Sequence, residues 1–401
     1  MSVLDGIKVL DVGTWVAGPA AATVMSDFGA EVIKVEPPGA GDPYRGLARR
    51  PGMPQSEHDY CWLLDSRNKK SVALDLKVPE GREVLLALAA RADVFLTNLQ
   101  PDSLARLRLT WEDLAPLNSR LVYASLTGYG EVGAEANKPG FDANAWWARS
   151  GLMDLVRSAG ASPTVSMPGM GDHPTSLAVF GAVMLALYHR ERTGRGSKVS
   201  SSLMANGAWA NSILIQAMLC GATFLERRPR EEARNALANL YQCRDGRWFI
   251  LTLLSEEKEW ERFGRAVDRP DLVADPRFAT TAARHANSVA LVRVLDETFA
   301  RKDWAEWRTV LEAHDITFGP VAQLGDLRDD PQMAATETLV ALADAGLPGL
   351  RTVTSPIHMA GQPKVPPRRA PDVGEHTEEV LRAAGYDDAA IQRLRALGAF
   401  G

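Results

Sequence analysis

The sequence predicts an α/β protein, with a Rossmann-like, doubly wound parallel sheet in a large domain and a smaller α+β domain beside it. Three observations carry this. Short β-type runs alternate with helical patterns through the first third of the chain, and such alternation implies a parallel sheet. A charged, proline-containing stretch at residues 226–232 breaks the composition and is followed by a hairpin signal. The 401 residues also exceed one ordinary domain, at ~150 residues each. The expected organisation is residues 1–225 and 331–401 in the large domain, with 226–330 in the small one.

In order, residues 7–12 form a first strand and 20–28 a helix stopped by Gly29. The run 31–36 is a second strand, so the opening is a βαβ unit. Residues 71–76 are a strand, and 79–92 a helix with proline in its first turn. Residues 93–97 and 121–126 are strands. Between them Thr110 opens a helix as N-cap with an acidic first turn. A long helix runs from about Pro174 to about Arg192 and ends at Thr-Gly-Arg-Gly. A strand over 198–203 and a helix over 208–220 follow. In the small domain, Asp245-Gly246-Arg247 turns between strands at 240–242 and 248–253. Helices are expected at 256–267, 287–299 and 304–312, a return linker around 325–332, and closing helices at 376–384 and 387–397.

Composition narrows the functions. Hydrophobic residues are 46% and charged residues 24%, which excludes disordered, collagen-like and coiled-coil proteins. The net charge of −5 provides no basic surplus for nucleic acid or a membrane surface, so an anionic ligand has to meet local cations. Cys61, Cys220 and Cys243 are odd in number and lack metal-ligand spacing. They are expected to be free thiols in a reducing compartment, with no metal bound. No signal peptide is read at the N-terminus, and the longest apolar run, 177–188, is short of the ~18 residues of a membrane span. A cytoplasmic protein is expected.

The residues after the first strand, Gly-Thr-Trp-Val-Ala-Gly-Pro, are not G-x-G-x-x-G, so a dinucleotide is not expected. The segment 168–176, Pro-Gly-Met-Gly-Asp-His-Pro-Thr-Ser, is the most informative. In one reading Asp172 or Thr175 is an N-cap. In the other, the helix field keeps the Asp172 carboxylate ionised as a nucleophile toward an activated acyl group. The glycines, Gly171 among them, then admit a substrate and offer N–H groups to an oxyanion. Asp142, in Gly-Phe-Asp-Ala-Asn-Ala-Trp-Trp, either caps a helix or supports that site. The basic set Arg45, Arg67, Lys69, Lys70, Lys77 and Arg106 lies near strand ends. It reads either as solvated surface or as a polyphosphate cradle. Trp15, Tyr44, Leu47, Trp146, Trp147 and Met153 suggest an apolar acyl pocket, with Trp146 and Trp147 reading either as its wall or as core.

The opening Leu-Asp-Gly-Ile-Lys-Val-Leu-Asp at 4–11, Ala-Gly-Pro at 17–19, Phe-Gly-Ala-Glu-Val-Ile-Lys-Val-Glu at 28–36 and Asn-Lys-Lys-Ser at 68–71 occur in one order with Arg-Thr-Gly-Arg-Gly at 192–196 and Ala-Pro-Asp-Val-Gly-Glu-His-Thr at 370–377. In these the chain resembles the family III CoA-transferases over nearly its whole length. The resemblance implies coenzyme A in an acyl-CoA as substrate, a carboxylic acid as the other partner, and no metal or redox cofactor. It implies Asp172 as catalytic residue with Gly171 beside it, and Asp142 near the thioester. CoA contacts carry over to Val16, Ala17, Leu74, Lys77, Asn98, Leu99 and Arg106. It also implies an interlocked homodimer. The chain departs from formyl-CoA transferase, which has a glycine run absent here between 205 and 247, a tryptophan at Leu47 and a glutamine at Val16. The related α-methylacyl-CoA racemases place a histidine at the position of Phe141, which cannot shuttle a proton. A racemase, and a CoA-binding protein without catalysis, are the alternatives to a CoA-transferase.

Overall fold

Residues 2–344 and 346–401 are described by the structure, a computed structural model; Met1 and Ala345 lie outside the described residues. The chain forms two compact units, one of residues 1–156, 163–222 and 331–401, the other of 157–162 and 223–330.

The first unit is built on six parallel strands: β1 (Lys8–Asp11), β2 (Glu31–Glu36), β3 (Lys69–Ala73), β4 (Val94–Thr97), β5 (Val122–Thr127) and β6 (Ser197–Ser202). Their order is β3-β2-β1-β4-β5-β6. The register pairs Asp11 with both Lys34 and Leu96. The inner strands β2, β4 and β5 are largely buried runs because both faces are covered, whereas the edge strand β6, Ser-Lys-Val-Ser-Ser-Ser, alternates in exposure. Val9, Val32, Val94, Leu96 and Ala124 point to one core. Their neighbours Leu10, Ile33, Phe95 and Tyr123 point to the other.

The first core packs against α1 (Ala17–Asp27) and, further on, the long helix. Helix α2 (Tyr60–Asp65) precedes β3, and α3 (Pro79–Ala89) follows it with proline in the first turn. Helices α4 (Pro101–Leu107) and α5 (Trp111–Leu114) lie between β4 and β5. Thr110 and Asp113 cap α5 reciprocally, through Asp113 N–H to Thr110 Oγ1 at 3.3 Å and Thr110 N–H to Asp113 Oδ2 at 3.0 Å. After β5 come a π-helical turn, Asp142–Ala148, and the short α6 (Leu152–Leu155).

Helix α7 spans Asp172–Thr193, two residues earlier than the expected start at Pro174. Proline is tolerated in the first turn, where its missing N–H has no intrahelical partner to lose. The helix expected over 208–220 is two, α8 (Leu203–Ala210) and α9 (Ser212–Leu219). Asn211 breaks them: its backbone leaves the helical region (φ −100°, ψ 16°), and its amide is anchored on the Ser150 carbonyl at 2.9 Å.

The C-terminal segment completes the second core. Val380, Leu381, Ile391, Leu394 and Phe400 pack there with Phe95 and Leu74. Its backbone is stitched to β3 and the following turn: Ala73 N–H donates to Thr377 Oγ1 (3.0 Å), and Asp75 N–H to the Ala399 carbonyl (2.9 Å).

The second unit holds an antiparallel sheet of β7 (Ala238–Gln242), β8 (Trp248–Thr252) and β9 (Phe318–Pro320), with Gly246 at φ 79° in the first turn. Its helices α10 (Glu256–Ala266), α11 (Pro270–Ala274), α12 (Thr281–Ala286), α13 (Ser288–Phe299) and α14 (Trp304–Ala313) share an aromatic core of Tyr241, Phe249, Phe263, Phe299 and Trp307. Residues 325–332, expected as a plain linker, include parts of two short helical turns. No helix among the described residues is long and apolar enough to cross a membrane.

Candidate active site

In a sheet of this order the chain reverses direction between β1 and β4, and their carboxyl ends open a crevice. The residues after each strand occupy it. Asn98, following β4, is locked to the turn after β1: its Oδ1 accepts Thr14 N–H at 2.8 Å and its Nδ2 donates to the Thr14 carbonyl at 2.7 Å. Gly18 allows the approach, since a Cβ there would meet Leu96 Cδ2 at 3.3 Å. A cavity of about 320 Å³ opens here, lined by Trp15, Val16, Ala17, Asn98, Leu99 and, from across the crevice, Phe141 and Asp172. Gly128 and Gly140 also line it. They cross so closely that a Cβ on Gly128 would lie 2.7 Å from the Gly140 Cα.

A buried charge cluster fixes the turn. Lys34 pairs with Asp42 at 2.7 Å and donates to the Gly13 carbonyl, and Lys69 pairs with Asp11 at 2.8 Å. Asp42 Oδ1 accepts Trp15 N–H (3.1 Å) and Asp11 Oδ1 accepts Gly13 N–H (3.2 Å). All four charged side chains are inaccessible to solvent. They hold Trp15 at φ 64°, the left-handed region that costs a bulky residue of order 1–3 kcal/mol. The strain turns the indole toward the cavity, edge-to-face with Phe141 at 5.8 Å between ring centroids.

Asp172 is the first residue of α7, with Gly171 as N-cap. Gly171 is required there: the Trp146 ring would lie 2.6 Å from a Cβ. Its N–H points at Asp142 Oδ2 at 3.4 Å, so it faces a carboxylate rather than open cavity. The Asp172 carboxylate accepts no hydrogen bond from the described residues and faces the cavity. The helix field was expected to keep it ionised, but the opposite effect dominates. Burial, then the charge of Asp142, push its pKa up to about 7; His173 lowers it by less than Asp142 raises it, and Asp65 adds the smallest rise.

Beneath Asp172 lies a second group. Asp65, at the end of α2, is buried. Its Oδ2 accepts the Tyr44 hydroxyl at 2.6 Å, and its Oδ1 meets His173 Nε2 at 3.1 Å. His173 Nδ1 lies 3.1 Å from the Gly169 carbonyl. Burial works against the charged imidazole, but Asp65, the Gly169 carbonyl and Asp172 together push its pKa up to about 8. Burial and the Asp65 charge raise the Tyr44 phenol far above its ordinary value.

The structure gathers Val16, Ala17, Asn98, Leu99 and Asp172 at one cavity, with Asp142 and Gly171 bonded beside it. Leu74 is buried in the second core, Lys77 is exposed beyond β3, and Arg106 lies exposed on α4, donating to Ser103 Oγ. The other basic residues do not form a free cradle. Arg45 is bidentate on Glu36 and stacks over Trp62 at 3.7 Å, and Arg67 is bidentate on Asp27. Lys70 bridges Glu31 and Glu379. Of the expected acyl lining, Trp15 faces the cavity. Tyr44, Trp146 and Trp147 are buried, the two indoles stacked together at 6.0 Å. Asp65, Lys138, Gln100 and Ser103 escaped the sequence reading. Lys138, which lines the cavity and pairs with Glu135, carried no signal beyond its charge. Among the described residues no group of three metal-ligating side chains gathers, and the three cysteines are free.

Fold and site thus define an α/β protein with a strongly perturbed carboxylate at the switch point of a parallel sheet. Residues 4–377 match the model of CoA-transferase family III, and the chain belongs to that family of enzymes. It is 32% identical over 397 residues to the (R)-2-hydroxy-4-methylpentanoate CoA-transferase of Clostridioides difficile, covering 98% of each chain. It is 30% identical over 404 residues to the succinyl-CoA:glutarate CoA-transferase of Mus musculus, covering 99% of this chain and 90% of that one. Among solved structures it is similar to a CAIB/BAIF family protein from Brucella suis. That match has a TM-score of 0.84 and 27% identity, over 96% of this chain and 99% of the other.

Proposed function

We propose that this enzyme moves CoA from an acyl-CoA to a carboxylic acid through covalent intermediates on Asp172. The observation that carries the reading is a carboxylate without a hydrogen-bond donor, on the first turn of a 22-residue helix, facing the switch-point cavity. The carboxylate oxygen attacks the thioester carbon, and the C–S bond breaks to leave a mixed anhydride and CoA thiolate. The thiolate attacks the aspartyl carbonyl and expels the donor acid as a carboxylate, leaving an aspartyl-CoA thioester. The acceptor carboxylate attacks that carbonyl and displaces the thiolate. The thiolate then takes the acceptor's acyl carbon and frees Asp172. Each acylated state is neutral at Asp172, so the burial that penalises the free carboxylate does not penalise the intermediates.

Coenzyme A would enter along Val16, Ala17, Asn98 and Leu99, with Lys77 and Arg106 as the first exposed cations after β3 and β4. The walls Trp15, Phe141, Leu126 and Leu203 favour a medium-sized branched or aromatic acyl group. The relatives' names, hydroxymethylpentanoate in one and glutarate in the other, do not decide between acyl groups for this chain. Phe141 presents no proton-transferring atom to the cavity, which disfavours racemisation.

The working form is proposed to be a homodimer. Supporting it, α7–α9 expose six large apolar side chains, Leu185, Tyr188, Trp209, Ile213, Met218 and Leu219.

The test is chemical trapping. Acyl-CoA followed by hydroxylamine should convert Asp172 to its hydroxamate, read by peptide mass spectrometry. A modified residue elsewhere, or none during active turnover, overturns the mechanism. Faster transfer with oxalate or succinate than with aryl or branched acids overturns the acyl class.

A further inference from the structure

We propose that His173 is a positioning residue, held as an imidazolium between Asp65 and the Gly169 carbonyl, whose charge shifts the adjoining Asp172 toward its nucleophilic form. The inference rests on the reading of Asp172 as nucleophile.

The hydrogen bonds specify the protonation state. The Gly169 carbonyl, 3.1 Å from Nδ1, has only lone pairs to offer, so Nδ1 carries a proton. Asp65 Oδ2 already accepts the Tyr44 hydroxyl at 2.6 Å, and that phenol stays protonated in its buried setting. The remaining oxygen, Oδ1, faces His173 Nε2 at 3.1 Å. Both ring nitrogens therefore face acceptors, which an imidazolium satisfies and a neutral imidazole does not.

A cation is unfavourable at this place without a purpose. Residue 173 is the second residue of α7, where the helix field repels positive charge. The compensating anion, Asp65, comes from a helix more than a hundred positions earlier and is itself buried, at 3% exposure.

The charges facing the pair explain what the cation does. Asp142, from the π-helical turn, and Asp65, from α2, both push the Asp172 carboxyl toward its neutral form, as does burial. His173 alone pushes the other way. Arg67 shares a second cavity with Asp65 and His173, but its guanidinium is spent on Asp27 and the Leu64 carbonyl. Tyr44 is uncharged. Without the imidazolium, two carboxylates and burial would raise the Asp172 pKa further and leave it mostly protonated at neutral pH.

The test is the pH dependence of kcat/KM for CoA transfer in the wild type and in His173→Gln. Removing the charge should move the ascending limb to higher pH by about one unit, which is about tenfold in rate below the limb. The variant should therefore lose about tenfold near pH 6 and converge with the wild type toward pH 9, where the wild-type imidazolium has itself lost its proton. A loss equal at both ends, or an unmoved limb, overturns the proposal. An Asp172 adduct trapped in the variant at high pH separates this from failure of the nucleophile, since a wild type without an adduct sinks the nucleophile reading instead. Neutron diffraction from wild-type crystals at neutral pH reads the state directly. Deuterons on both ring nitrogens of His173 are expected, and one alone overturns it.

Discussion

Ionised in the folded chain, the Asp172 carboxylate gives up water without gaining a hydrogen bond. Its pKa rises from 3.8 to about 7, so the native state holds more protons than the unfolded one between those values, and stability falls as pH rises through that window. Asp172→Asn removes the penalty. Its thermal midpoint should equal the wild type's near pH 4 and exceed it above pH 7, while transfer falls by at least ~10³-fold, the scale of losing a covalent nucleophile. Differential scanning calorimetry across pH with a paired rate assay checks both halves, and an active variant refutes the nucleophile. Gly171 carries a second prediction. Alanine there drives a methyl to 2.6 Å from the Trp146 ring and must displace the helix start. A shift near 1 Å at a nucleophile costs on the order of 10²-fold, so kcat/KM of Gly171→Ala should fall by about that much with the fold retained by circular dichroism. At this scale the sequence showed the carboxylate and its glycine but not their electrostatics. Asp142, 30 positions away, was read as a support of the site but not as a charge that raises its pKa, and nothing local marks Asp65, 107 positions away, as a neighbour of Asp172.

The turn after β1 shows how buried charge shapes an element. Lys34 and Lys69 sit on adjacent strands and meet Asp11 and Asp42 in a volume closed to water. Removing one partner leaves the others unpaired, which costs ~3–5 kcal/mol. Lys34→Met should lower the denaturation free energy by about that amount in urea, and weaken acyl-CoA binding because the Gly13 carbonyl loses its tether. A variant as stable as the wild type would show that the cluster is replaceable. Strand positions were legible because buried parallel strands are short β-branched runs: Glu31–Glu36 agrees to the residue. Lys69 was read as surface or phosphate-binding, and Lys34 drew no reading of its own. Their burial depends on pairing across three strands, which no single run displays. The break at Asn211 escaped for a similar reason, since the Ser150 carbonyl that holds it is 61 residues away.

For the whole molecule, the alternating pattern sufficed for the parallel sheet, and strand order then put the site at the β1/β4 crevice. The exposure of the apolar side chains on α7–α9 was hidden in the sequence, because they read equally well as core. If they form the dimer contact, the double substitution Trp209→Glu and Ile213→Glu should halve the mass seen by sedimentation equilibrium. An unchanged mass would place the contact elsewhere. The stitching of Thr377 and Ala399 to β3 and the turn after it has a further consequence, for biosynthesis. Until residues 377–400 leave the ribosome, Phe95, Leu74 and their neighbours have only the partial cover of Val84, Leu85, Leu88, Leu104 and Leu114 from α3–α5, although the strands bearing them were translated long before. The nascent sheet must wait, half-dressed, through the synthesis of the entire second unit, and a chaperone that shields that face in the interval would raise the yield of native enzyme.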